Sequence, residues 1–141
     1  MIVLDTNVVS EPLRPTPDAS VVDWLDAQVL ETLYLTSLSL AEVRYGVASL
    51  PSGRRRQTLH DRVEGEVIPL FAGRVLPFDE PASAAYAEIR ARTRAQGSPL
   101  GDFNALIAGV AASRGCTVAT RDTGPFVAAR VPVIDPFAAR D

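Results

Sequence analysis

The chain contains no lysine; all 14 of its basic residues are arginine. A net charge of −3 and a pI near 5.1 exclude the strongly basic footprint of a stand-alone nucleic-acid binder. One cysteine, Cys116, excludes an internal disulfide and suits a reducing cytoplasm. Within GCTVAT it reads as a small core residue rather than a reactive thiol. The single histidine, His60, lies beside Asp61 and Arg62 in a predicted helix, so it reads as a solvated or interface residue, and a zinc site is not expected. No apolar run is long enough to span a bilayer. The opening MIVLD lacks a basic region and meets an acid at its fifth residue, unlike a signal peptide. Walker loops, G-x-S-x-G and paired Cys–His nucleophiles are also missing.

What remains is 141 residues, 47% of them apolar, enough to bury a core and to form one domain over 1–141. Apolar periodicity predicts strands over Ile2–Leu4, Thr32–Thr36, Val75–Phe78, Thr117–Thr120 and Val131–Ile134. Helices are expected over Asp18–Gln28, with Asp18 as N-cap, and over Ser39–Leu50, Arg54–Leu70, Glu80–Gln96 and Asp102–Arg114. Gly97 and Gly115 stop the last two. Strands alternating with helices imply right-handed crossovers and an α/β fold: a three-layer α/β/α sandwich around a mainly parallel sheet of four to five strands. Ligands of such sheets collect at the carboxyl ends of the strands. Asp5, Glu42, Asp102, Asn104 and Asp122 all fall near that edge.

Each of these residues also has a purely structural reading. Asp5-Thr6-Asn7 fits an Asx-turn, and Ser39-Leu40-Ala41-Glu42 fits a capping box. Asp102 fits an N-cap, and Asp122-Thr123-Gly124 is good turn sequence. Together the balance changes. Acids from distant segments gathered at one edge repel one another unless a cation sits among them, and oxygen ligands with little histidine point to Mg²⁺ or Mn²⁺.

The stretches MIVLDTNVVSE, LAEVRYGV, NALIAGVAASRG and VATRDTGPF resemble, in order and spacing along almost the whole chain, the PIN-domain endoribonucleases. More narrowly they resemble VapC toxins of the FitB-like branch. The resemblance implies a PIN-like fold and places the family's acidic positions on Asp5, Glu42, Asn104 and Asp122, as metal ligands and catalytic residues, with Thr6 and Thr120 as hydroxyls supporting the ligands. The third position is normally an Asp in D-x-x-I-A, and here Asn104-Ala105-Leu106-Ile107-Ala108 fills it. The resemblance leaves Asp102 outside the family's positions, and geometry agrees, since two residues along a helix is about 200° of rotation; Asp102 reads as a cap or a fraying first-turn residue, which an unwound first turn would let swing inward. Asn keeps a carbonyl ligand but loses the charge. The departure fits either an Asp-to-Asn change that disarms a nuclease or a naturally weakened member.

The implied chemistry is Mg²⁺- or Mn²⁺-dependent hydrolysis of RNA phosphodiesters, with Asp5 or Asp122 also orienting the water. Arg54, Arg55 and Arg56, with Arg90, Arg92 and Arg94, are candidate RNA guides or simply solvated helix faces. Implied partners are a second copy of the chain, a VapB-like antitoxin, and operator DNA reached only through that antitoxin. Val43, Tyr45 and Val47 are candidates for the antitoxin groove or for the core. An alternative is a catalytically poor module acting through a DNA-binding antitoxin. A haloacid-dehalogenase-type phosphatase also opens on a strand-end LDT, but it needs an Asp where Asn7 stands and usually a lysine.

Overall fold

A computed structural model describes residues 1–138, so the last three residues of the expected 1–141 domain lie outside the described residues. The chain runs β1 (Ile2–Leu4), α1 (Thr6–Val9), α2 (Ala19–Asp26), β2 (Leu33–Thr36), α3 (Ser37–Ala48), α4 (Arg54–Arg62), a π-helical turn (Val63–Val67) and α5 (Ile68–Leu70). It continues through β3 (Val75–Leu76), α6 (Glu80–Ala95), α7 (Asp102–Ser113), β4 (Thr117–Ala119), α8 (Thr123–Ala128) and β5 (Val133–Ile134). Short 3₁₀ turns cover Glu11–Leu13 and Leu30–Thr32.

All strand pairs are parallel, in the order β3-β2-β1-β4-β5. Alternation along β1 explains the layers. Val3 joins Val118, Ile107 and Phe126 in one core, and Leu4 joins Ala119, Val21, Trp24 and Val43 in the other. Successive strand residues face opposite sides, so each face of the sheet needs its own helices. Helices α6, α7 and α8 supply one layer and α1, α2 and α3 the other. Connections leave β1 toward β2 on one side, and the chain later returns to β4 on the other. That reversal opens a crevice beyond the carboxyl end of β1. Among the described residues no helix is long and apolar enough to cross a membrane.

The boundaries depart from the sequence expectation where local chemistry intervenes. The third strand stops at Leu76, because Pro77 has no N–H for the ladder, and the fifth strand starts only after Pro132 for the same reason. The expected single helix over Arg54–Leu70 is interrupted. The Pro69 ring would collide with the Gly65 carbonyl in a regular α-helix, and the wider turn Val63–Val67 precedes it. The turn expected at Asp122-Thr123-Gly124 instead opens α8, whose Phe126 is fully buried. His60 is exposed and Cys116 is buried, as expected.

Helices α6 and α7 touch at Gly109, where an added Cβ would lie 2.9 Å from both the Ala82 carbonyl oxygen and the Tyr86 Cβ. Gly109→Ala gains about 1 kcal/mol of helix propensity, but forcing the helices apart costs about 2–3 kcal/mol. A net loss of about 1–2 kcal/mol is expected in urea unfolding, with unchanged m-value. A variant as stable as the parent would show that the helices separate freely.

Candidate active site

Asp5 follows the last residue of β1 and its N–H bonds the Ala119 carbonyl, so parallel pairing with β4 sets its position. It is the N-cap of α1, with Oδ1 accepting the Thr6 N–H at 2.8 Å. Oδ2 accepts the Thr120 hydroxyl at 2.9 Å. Asp5 is only 5% exposed. Burial pushes its pKa above the ordinary carboxylate value; the bonds from Thr120 and Thr6 pull it back, and the charge of Asp122 pushes it up again.

Glu42 is not spent on its own helix. Helix α3 begins two residues before the expected Ser39, capped by Thr36, whose hydroxyl oxygen accepts the Ser39 N–H at 3.0 Å. The capping-box reading is therefore overturned. An acceptor for the first turn already stands at the end of β2, and Glu42 is free to reach out. It accepts the Thr6 hydroxyl at 2.6 Å, a charge-assisted bond between segments 36 residues apart.

Asp122 occupies the N-cap position of α8 without making a capping bond. Its N–H donates to Thr120 Oγ1 at 3.0 Å, while its Oδ2 accepts from Asn104 Nδ2 at 3.3 Å. The amide of Asn104 turns its nitrogen to Asp122 because only an N–H can face a carboxylate. Asn7, absent from the candidate set, ties the cluster together. Its Nδ2 donates to Thr120 at 3.2 Å, and its Oδ1 accepts the Arg121 N–H at 3.1 Å. The Asp-Thr-Asn spacing was its only sequence signal.

Glu42, Thr6, Asp5, Thr120, Asp122 and Asn104 thus form one continuous hydrogen-bonded chain along the carboxyl edge. Asp102 stays outside it. Gly101 takes the N-cap position of α7, which corrects the cap reading, and Asp102 faces solvent in a 2.6 Å ion pair with Arg90. Arg92 donates to the Ala129 carbonyl at 2.9 Å and Arg56 to the Ser52 hydroxyl at 3.5 Å, so three of the six candidate RNA guides are engaged within the protein. On α3, Val43 is core, Val47 is half-buried and Tyr45 is 75% exposed.

The residues fit a hard divalent cation by chemistry. All four donors are oxygen or amide groups, and a buried carboxylate beside a second one carries negative charge that local hydrogen bonds only partly satisfy. The fit is lean, because no group of three or more His, Cys, Asp or Glu side chains among the described residues is arranged to hold a metal ion.

The family model for the PIN domain matches residues 2–131. The chain is 51% identical to toxin FitB of Neisseria gonorrhoeae over 97% of this chain and 99% of that protein. It is 50% identical to VapC ribonuclease Y4jK of Sinorhizobium fredii over 97% and 98% respectively. The crystal structure of FitAcB from Neisseria gonorrhoeae superposes with a TM-score of 0.96 at 50% identity, covering 99% of this chain and all of that one. DNA-bound VapBC from Salmonella typhimurium gives a TM-score of 0.75 at 26% identity, over 96% and 97%.

Proposed function

We propose, from the premise that this chain belongs to the PIN-domain family, that it is the toxin of a toxin–antitoxin pair and an endoribonuclease acting as a single domain. The observation that carries the reading is the hydrogen-bonded chain through Asp5, Glu42, Asn104 and Asp122 at the crevice beyond β1. Relatives named as a toxin and as a ribonuclease match over nearly the full length.

Asp5, Asp122 and Glu42, with the Asn104 amide, would hold Mg²⁺ or Mn²⁺, which lowers the pKa of a bound water and offsets charge on the phosphate. Asp5 or Asp122 orients the attacking water. Thr120 and Thr6 hold the Asp5 and Glu42 carboxylates in place. The partners are a VapB-like antitoxin, a second copy of the chain, an RNA substrate, and operator DNA only through the antitoxin. The cytoplasm is the compartment that suits them. The bond between Asn104 and Asp122 favours a second reading, since it satisfies part of the Asp122 charge without a cation. On that reading the chain is a catalytically poor module acting through its antitoxin on transcription.

Incubation of the partner-free chain with structured RNA separates the two. Slow cleavage in Mn²⁺, abolished by EDTA and by Asp122→Ala, is the expected result. Complete inertness on a broad RNA panel, with antitoxin binding intact, would give the second reading its place.

A further inference from the structure

The acidic crevice poses an electrostatic problem that its own residues do not solve. A chain of net charge −3 must hold a polyanionic strand against several carboxylates. Several arginines are already committed: Arg14, Arg44, Arg62, Arg90, Arg92 and Arg114 pair with carboxylates. Arg54, Arg55, Arg56, Arg74, Arg94, Arg121 and Arg130 have no carboxylate partner among the described residues. Of these, Arg121 is exposed and lies between Thr120 and Asp122 of the site. Its backbone N–H is fixed on Asn7 Oδ1.

Its side chain is also held. The guanidinium carbon lies 3.7 Å from the centre of the Phe137 ring, at stacking distance. Phe137 is itself anchored: it packs against the core that includes Leu4, Val8 and Trp24, and its N–H donates to Asp135 Oδ1 at 2.9 Å. Asp135 directly follows β5, and the Ile134 carbonyl accepts the Thr120 N–H at 2.9 Å. The same strand pairing therefore positions both Thr120 and the aromatic platform. Stacking occupies one face of the guanidinium but leaves its edge N–H groups available, the ones that grip a phosphate in a fork.

We propose that Arg121, held on Phe137, is a positioning residue that binds a backbone phosphate of the RNA strand beside the carboxylate site. The proposal rests on the endoribonuclease reading for the identity of its ligand. A pre-stacked guanidinium loses little side-chain freedom on binding, so it contributes more than a free surface arginine.

The test is binding of a fluorescein-labelled single-stranded RNA, followed by anisotropy in EDTA so that cleavage is off, over a salt series. Arg121→Ala is expected to weaken binding about 10-fold and to reduce the salt slope by about one counterion. Arg121→Lys keeps the charge but not the planar stack, and recovers only part of the loss. Phe137→Leu, with Arg121 intact, weakens binding about 3-fold, as expected for a released but still charged guanidinium. With Mn²⁺ present, Arg121→Ala raises KM with a smaller effect on kcat. Equal affinity and salt slope for the parent chain and Arg121→Ala overturn the proposal while leaving the nuclease reading intact. Binding that is sensitive to Arg121 without any cleavage keeps the proposal and removes the nuclease reading. A parent chain that does not bind RNA even at low salt removes both. Arg121 is exposed, so its variants fold; they carry the test even if Phe137→Leu does not.

Discussion

Asn104→Asp is expected to raise Mn²⁺-dependent RNA cleavage about 100-fold over the parent chain, with a parallel gain in Mn²⁺ affinity. A carboxylate attracts a divalent cation by several kcal/mol more than a neutral amide does, even at an effective dielectric near 20. A net of about 3 kcal/mol, after desolvation, corresponds to about 100-fold. The same substitution has a cost that can be measured separately. It replaces the 3.3 Å amide–carboxylate bond to Asp122 with two like charges. The metal-free variant should lose about 1 kcal/mol, roughly 3 °C in Tm for a chain of this size, and recover it on addition of Mn²⁺. Calorimetry in EDTA and in Mn²⁺ reads this without any assay of activity. A variant with unchanged Tm under both conditions would mean that residue 104 does not share a cation with Asp122.

Asp5→Asn is expected to lower cleavage by at least about 1000-fold, because it neutralises the one buried carboxylate of the site. Its pH behaviour identifies the cause. The pKa of Asp5 is raised above the ordinary 3.8 in the folded protein, chiefly by burial. A carboxyl of that kind favours the folded state while protonated. That contribution is complete below about pH 3.8 and disappears as pH rises through the folded value. Asn cannot ionise. In EDTA, Asp5→Asn should therefore gain stability relative to the parent as pH rises through that window and then hold level. A constant penalty of about 1 kcal/mol from the altered Thr6 and Thr120 bonds shifts the level but not the slope. Saturating Mn²⁺ at neutral pH should reduce the advantage of Asn. A stability difference that does not vary with pH would show that the Asp5 pKa is not displaced by folding.

Much of this molecule was legible in one dimension. The runs at Ile2–Leu4 and Thr117–Ala119, the apolar periodicity of α2 and α3, and the glycines that stop α6 and α7 report the sheet and its helices, because burial and chain breaks are written in residue spacing. The edge on which Asp5, Glu42, Asn104 and Asp122 fall follows from the same order of elements, and the 200° between Asp102 and Asn104 separates those two without coordinates. Prolines explain three of the missed boundaries: at Pro77 and Pro132 an absent N–H, and at Pro69 a ring that clashes with the preceding turn, outweigh several residues of favourable pattern. Helix α8 was missed because Asp-Thr-Gly is as good a turn as it is a helix start, and only the burial of Phe126 decides between them.

The sequence by itself determined the strands and long helices, the mainly parallel sheet and the residue types available at the carboxyl edge, since these depend on local pattern and chain connectivity. Tertiary structure alone decided how each side chain is used. Glu42 reaches Thr6 because Thr36 takes the cap. Asp5 is buried against a threonine 115 residues away. Arg121 rests on Phe137 because β4 and β5 lie side by side. A hydrogen bond or a stack is selected by whichever partner the fold brings within about 3–4 Å, and neighbours in space at that distance need not be neighbours along the chain.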